Sequence, residues 1–123
     1  MELSVLHQSV GGYPVLEVRG EIDVYSAPAV KDSITALLGP GSPVVMVDLS
    51  QVGFLDSTGL GALVAARTAA SQAGGSLPIV CNRERILKLF RITGLDTVFD
   101  IYPSVDDVVQ ALGGNLSGNA GAT

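Results

Sequence analysis

The chain has 123 residues, within the roughly 100–200 of one domain, and its 47% hydrophobic and 15% charged residues exclude disorder as a class. Its formal charge of −5 disfavours a nonspecific grip on nucleic acid, which depends on neutralising phosphates with Lys and Arg. One cysteine, Cys81, can make neither an internal disulfide nor a cysteine zinc cage, and no apolar run approaches the ~20 residues of a membrane span.

Val5 and the segment Val15-Leu16-Glu17-Val18-Arg19 flank Gly11-Gly12-Tyr13-Pro14, which predicts a β-hairpin. Residues 16 and 18 point to one face and Glu17 and Arg19 to the other, as in a strand with one wet side. Ser26 is placed to cap a helix with Pro28 in its first turn. Val30, Ile34, Leu37 and Leu38 form its apolar stripe, and Gly39-Pro40-Gly41 stops it. Val44-Val45-Met46-Val47 is a continuous run suited to a central strand covered on both faces. A second helix is predicted from Ser57 to Ala73, with Leu60, Leu63 and Val64 turned inward and Gly74-Gly75 at its end.

Leu77-Pro78-Ile79-Val80-Cys81 predicts the next strand. Arg83 to Arg91 carries Ile86, Leu87 and Phe90 at helical spacing, closed by Thr93-Gly94. Val98-Phe99-Asp100-Ile101 predicts a short strand. Ser104 then caps a last helix bearing Val105, Val108, Val109 and Leu112, with Asp106 and Asp107 in the first turn, where the dipole favours negative charge. Strands alternating with helices imply a single α/β domain over residues 1–112. Its expected architecture is an N-terminal hairpin leading into a mixed, mainly parallel sheet with about four helices. Residues 113–123 read as a flexible tail. The start, Met-Glu-Leu-Ser-Val, has neither the basic residues nor the apolar stretch of a signal peptide, and the lone cysteine fits a reducing compartment. The expectation is a cytoplasmic protein.

Most chemistries fail on inventory. His7, the single histidine, lies in a predicted strand far in sequence from Cys81, so no metal site is expected. Ser57 sits at a strand-to-helix turn, but its context is not G-x-S-x-G, and neither Lys31 nor Lys88 is placed near it as a base. A hydrolase is therefore disfavoured. Gly59-Leu60-Gly61-Ala62-Leu63-Val64 lacks the third glycine of a dinucleotide-binding turn and falls inside a helix instead of ahead of one, so no cofactor is expected. Arg83, Arg85, Lys88 and Arg91 form either an anion or acidic-partner patch or a solvated face with Glu84 and Lys88 paired. Cys81 reads as a small core residue.

One segment is left over: Phe54-Leu55-Asp56-Ser57-Thr58-Gly59-Leu60-Gly61. A helix cap by Asp56 or Ser57 explains one polar residue, but not three in a row followed by two glycines costing ~1 kcal/mol each in a helix. Small residues at 59 and 61 keep the first turn thin, so another backbone can approach. A hydroxyl there is exposed, and a phosphate on it would meet free N–H groups. Gly20-Glu21-Ile22-Asp23 leaves the second strand towards the same carboxyl end of the sheet, where sites gather. The candidate binding face is therefore Asp23, Asp56, Ser57, Thr58, Gly59, Leu60 and Gly61, with core packing the alternative for Leu60.

Asp56-Ser57-Thr58-Gly59-Leu60-Gly61, preceded by Gly20-Glu21-Ile22-Asp23, resembles the bacterial anti-sigma factor antagonists of the STAS domain family. The likeness in element order covers about residues 3 to 112. STAS domains of sulfate transporters commonly lack a phosphorylatable serine in this context. The resemblance implies a non-enzymatic partner-switching regulator. Unphosphorylated, it would bind an anti-sigma factor with serine kinase activity and free the sigma factor. Phosphorylation on Ser57 would end binding, and a serine phosphatase would reset the switch. It also implies a monomer when free, with no direct contact to nucleic acid or membrane. The alternative within the family is a STAS subunit of a membrane transport or lipid-trafficking complex.

Overall fold

A computed structural model describes residues 3–39 and 44–113. Strands β1 (Leu3–Val10) and β2 (Tyr13–Ile22) form the expected hairpin. Its two-residue turn is Gly11-Gly12, both at positive φ (61° and 85°), which side-chain-bearing residues adopt at a cost. Helix α1 (Ala27–Leu37), strand β3 (Met46–Leu55), helix α2 (Ser57–Gln72), strand β4 (Ile79–Val80), helix α3 (Glu84–Ile92), strand β5 (Ile101–Tyr102) and helix α4 (Val105–Ala111) follow. The sheet order is β1-β2-β3-β4-β5, with β1 antiparallel to β2 and every other pair parallel. The expected mixed, mainly parallel sheet and the central place of β3 both hold.

Where the pairing is regular, adjacent strand residues go to opposite faces. Leu16, Val47 and Ile79 join α1, α2 and α3 in the main core, through Val30, Ile34, Leu63, Ala66, Ile86 and Phe90. Their neighbours Val15, Met46 and Val80 pack on the other face against Val108 of α4. Gly11 lets α4 sit close to the hairpin turn, since a Cβ there would lie 2.8 Å from Val109 Cγ1, and Tyr13 Oη donates to the Leu112 carbonyl at 3.3 Å.

Three strand expectations need correction. Of the strand expected over Leu77-Pro78-Ile79-Val80-Cys81, β4 keeps only Ile79–Val80. β3 runs eight residues beyond Val47, because its register against β2 shifts twice, between Asp48 and Gln51 and again between Val52 and Phe54. Each shift inserts one extra residue in β3, so Leu49, Val52 and Leu55 are buried at a spacing of three, which neither strand nor helix periodicity flags. Val98-Phe99-Asp100 is not strand. A 3-10 turn at Leu95–Thr97 precedes it, the Phe99 N–H donates to the Leu95 carbonyl, and Phe99 packs edge-on against Phe90 at 5.6 Å. β5 starts only at Ile101. Residues 40–43, including Pro40 and Gly41 of the expected helix stop, and residues 114–123 of the expected tail lie outside the described residues.

Candidate functional site

The carboxyl ends of β2 and β3 are tied together before any partner arrives. β3 ends at Leu55, and Asp56 turns the chain with extended backbone into α2. Its Oδ1 accepts from the Gly59 N–H at 2.9 Å, so Asp56 is the side-chain cap of α2. The Asp56 N–H donates to the Ile22 carbonyl at the end of β2. Gly59 packs on the same place: a Cβ there would lie 2.5 Å from Leu55 Cδ1, 2.8 Å from Ile22 Cγ2 and 3.0 Å from the Ile22 carbonyl oxygen. The close backbone approach expected at this glycine is thus made by the chain's own β2.

Asp23, one residue past β2, is equally committed. Its Oδ1 accepts from the Tyr25 N–H at 2.9 Å and the Ser26 N–H at 3.0 Å, and its carbonyl accepts from the Ala27 N–H at 2.8 Å. The Ser26 N–H chiefly holds the Asp23 carboxyl below its ordinary value of 3.8, against an upward push from burial and with help from the Tyr25 N–H and the Ser26 hydroxyl. Asp23 is therefore ionised at neutral pH. Ser26 stands at the start of α1 but makes no side-chain cap to the helix. Its Oγ donates to the Glu21 carbonyl at 2.8 Å and accepts from the Asp23 N–H at 3.0 Å, closing the loop on itself.

Among the expected site residues, Ser57, Thr58 and Gly61 are exposed, Asp23 and Asp56 are half-buried, and Gly59 and Leu60 are buried. Leu60, 5% exposed, belongs to the main core with Leu63. A Cβ on Gly61 would meet nothing within 4 Å, so this glycine has no internal packing reason. The sequence reading did not single out Val24 and Tyr25, which stand 56% and 89% exposed beside Asp23. An apolar residue in a loop carries no local signal; only its exposure in the folded chain marks it.

Towards α3 the surface continues into a groove of about 300 Å³ lined by Phe54, Leu55, Arg85, Lys88, Leu89 and Ile92. The pairing expected between Glu84 and Lys88 is not formed; Glu84 pairs with Arg91 instead. Arg83 donates from its guanidinium to the Val52 carbonyl at 3.2 Å and so braces the irregular half of β3. Cys81 is buried, which pushes its thiol up and keeps it protonated. Among the described residues no cluster of three His, Cys, Asp or Glu could hold a metal ion, and no helix is long and apolar enough to cross a membrane.

Comparison with known proteins places this geometry. The STAS domain family model matches residues 5–108. The anti-sigma-B factor antagonist of Bacillus subtilis is 38% identical over 95 residues, 77% of this chain and 86% of that one. The protein of the same name from Staphylococcus aureus is 33% identical over 101 residues, 82% and 94% of the two chains. The crystal structure of an anti-sigma factor antagonist from Mycobacterium paratuberculosis superposes with a TM-score of 0.80 at 34% identity, over 89% of this chain and 93% of that one. With the expected sheet, the expected helices and these relatives in agreement, the chain belongs to the STAS domain family, among its anti-sigma factor antagonists.

Proposed function

We propose that the unphosphorylated chain binds an anti-sigma factor that is also a serine kinase and thereby frees a sigma factor. Phosphorylation of Ser57 ends the binding, and a serine phosphatase restores it. The chain is the substrate of these enzymes and catalyses nothing itself. It works in the cytoplasm as a monomer when free, without touching nucleic acid or membrane. The observation that carries this reading is the exposure of Ser57 as the first residue of α2, beside an Asp56 whose carboxylate is already used as the cap.

The contact face comprises Asp23, Asp56, Ser57, Thr58, Gly59, Leu60 and Gly61 in two layers. Ser57, Thr58 and Gly61 meet the partner, while Gly59 and Leu60 hold them from beneath and Asp23 and Asp56 shape the two loops. Residues 20–30 and 53–66 contain no Lys or Arg, so the matching surface of the partner is basic.

A phosphate on Ser57 adds about −1.5 to −2 of charge at a helix N-terminus, where the dipole favours it, so the fold has no reason to rearrange. In a closed interface the same group adds bulk, must be desolvated and lies beside Asp56. Turning a largely bound state into a largely free one takes ~5.5 kcal/mol of differential affinity. Taking a charged phosphate out of water costs several kcal/mol, and the lower dielectric of a closed interface strengthens its repulsion from Asp56, so one buried phosphate suffices.

The test incubates the purified chain with each serine kinase of the anti-sigma type from its host and ATP. Mass mapping locates the phosphate, and circular dichroism and titration compare the two forms. One modified site at Ser57, an unchanged spectrum and lost affinity are expected, with Ser57→Ala binding constitutively. Phosphate on Thr58, a collapsed spectrum or unchanged affinity would each defeat the proposal.

A further inference from the structure

We infer that Tyr25 is an anchor through which the chain grips its protein partner, and that Asp23 serves this anchor as a positioning residue by ordering the loop that carries it. The inference rests on the reading of the Ser57 face as a partner-binding surface and extends that face to the β2–α1 loop.

Tyr25 is the most exposed of the large apolar residues described, at 89%, and Val24 beside it stands at 56%. Isolated exposed aromatics are ordinary, but this one sits in a loop closed by several hydrogen bonds. The Tyr25 N–H and the Ser26 N–H both donate to Asp23 Oδ1, the Ser26 hydroxyl bridges back to the Glu21 carbonyl, and the Ala27 N–H closes on the Asp23 carbonyl. The next link joins this loop to the switch. Ile22, the residue before Asp23, accepts from the Asp56 N–H, and Gly59 is packed against its carbonyl. Tyr25 and Ser57 are therefore presented by two loops that a backbone hydrogen bond and the packing of Gly59 join at Ile22.

Such an arrangement favours binding. A tyrosine offers a large amphipathic contact with few rotatable bonds, and a loop ordered beforehand loses little freedom on association. Buried tyrosines recur among the residues that dominate interface energies. The Asp23 carboxylate, by contrast, commits Oδ1 to two N–H groups of its own loop, and its lowered pKa reports those bonds. The partner that fits is a protein with an apolar pocket for a phenol ring, rimmed by basic groups that complement Glu21 and Asp23 in the Lys- and Arg-free segment 20–30.

The experiment has two arms. The first titrates the anti-sigma kinase that wild type binds with Tyr25→Ala, Tyr25→Phe, Asp23→Asn and Asp23→Ala, and measures thermal unfolding of each. Tyr25→Ala should lose at least about 30-fold in affinity at unchanged Tm, as an anchor would, and Tyr25→Phe much less. Asp23→Asn keeps an oxygen for both N–H groups and should bind within about fivefold of wild type, whereas Asp23→Ala should bind far more weakly. Tyr25→Ala within about threefold of wild type overturns the anchor. Asp23→Asn as weak as Asp23→Ala overturns the positioning role, because charge at Asp23 would then meet the partner.

The second arm replaces Tyr25, or Thr58 as a control, with a photo-crosslinking aromatic residue in the full chain inside its host. A crosslink from position 25 to an anti-sigma kinase supports both the anchor and the proposed function. A crosslink to a different protein, whose purified form binds Tyr25→Ala weakly, upholds the anchor and removes the proposed function. A crosslink from position 58 alone overturns the anchor, and none from either position overturns both.

Discussion

Gly59 and Gly61 look alike in the sequence and differ in the fold. A methyl group on Gly59 would press on Leu55, on the Ile22 side chain and on the Ile22 carbonyl oxygen at 3.0 Å, while one on Gly61 would meet open space. Helix propensity favours alanine at both by ~1 kcal/mol. At position 59 overpacking of about 1–3 kcal/mol outweighs that gain, so Gly59→Ala is expected to lower Tm. At position 61 nothing opposes it, and Gly61→Ala should raise Tm by several degrees, on the order of 4–8 °C per kcal/mol for a small domain. If the partner's backbone lies against α2 there, the same substitution weakens binding although it strengthens the fold. Thermal unfolding and partner titration of the two variants check this, and equal Tm shifts would refute it. The sequence exposed both glycines as costly but could not separate them, because the neighbour that needs Gly59 is Ile22, on a distant strand. Asp56 was legible as a cap from its place before Ser57. Tyr25 was not, because a loop residue carries no periodic signal and only its exposure in the folded chain marks it.

At the scale of elements, what local signals could reach depended on regularity. Both edges of α2 and the stripe of α4 follow a 3.6-residue period and a side-chain cap, Asp56 for one and Ser104 for the other, and they stand where the pattern put them. β3 was legible only in its β-branched start, because its second half follows two register shifts that only the pairing with β2 reveals. Val98-Phe99 reads as a strand by composition and is a turn whose phenylalanine is claimed by Phe90. With these shifts Leu55 pairs with Ile22 and is buried directly before Asp56. α4 sits elsewhere, on the opposite face and against the starts of β2 and β3, through Val108 on Val15, Met46 and Val80. Val108→Ala should therefore cost about 2 kcal/mol of stability, seen as a lower urea midpoint, and leave partner affinity unchanged. A matching loss of affinity in fully folded protein would mean that α4 takes part in the interface.

For the whole molecule the decisive quantity is its charge, −5, with no cation in residues 20–30 or 53–66. A basic partner is steered towards such a face from a distance, and the steering weakens with salt. Adding a phosphate makes the face more acidic still, so long-range attraction grows in the very form that must let go. Release must then arise at contact, where the phosphate is desolvated beside Asp56, and it must appear in the dissociation rate. Ser57→Asp isolates the effect with one charge in place of nearly two. Its association rate is expected to stay within about threefold of wild type at low salt, with an equal or steeper decline as salt rises. The dissociation rate should carry the loss, increasing by about 100-fold, while full phosphorylation approaches the ~10⁴-fold that complete switching requires. Stopped-flow association and surface-based dissociation at two salt concentrations resolve the two rates. A slowed association with unchanged dissociation would place Ser57 outside the contact and make the switch a matter of steering alone.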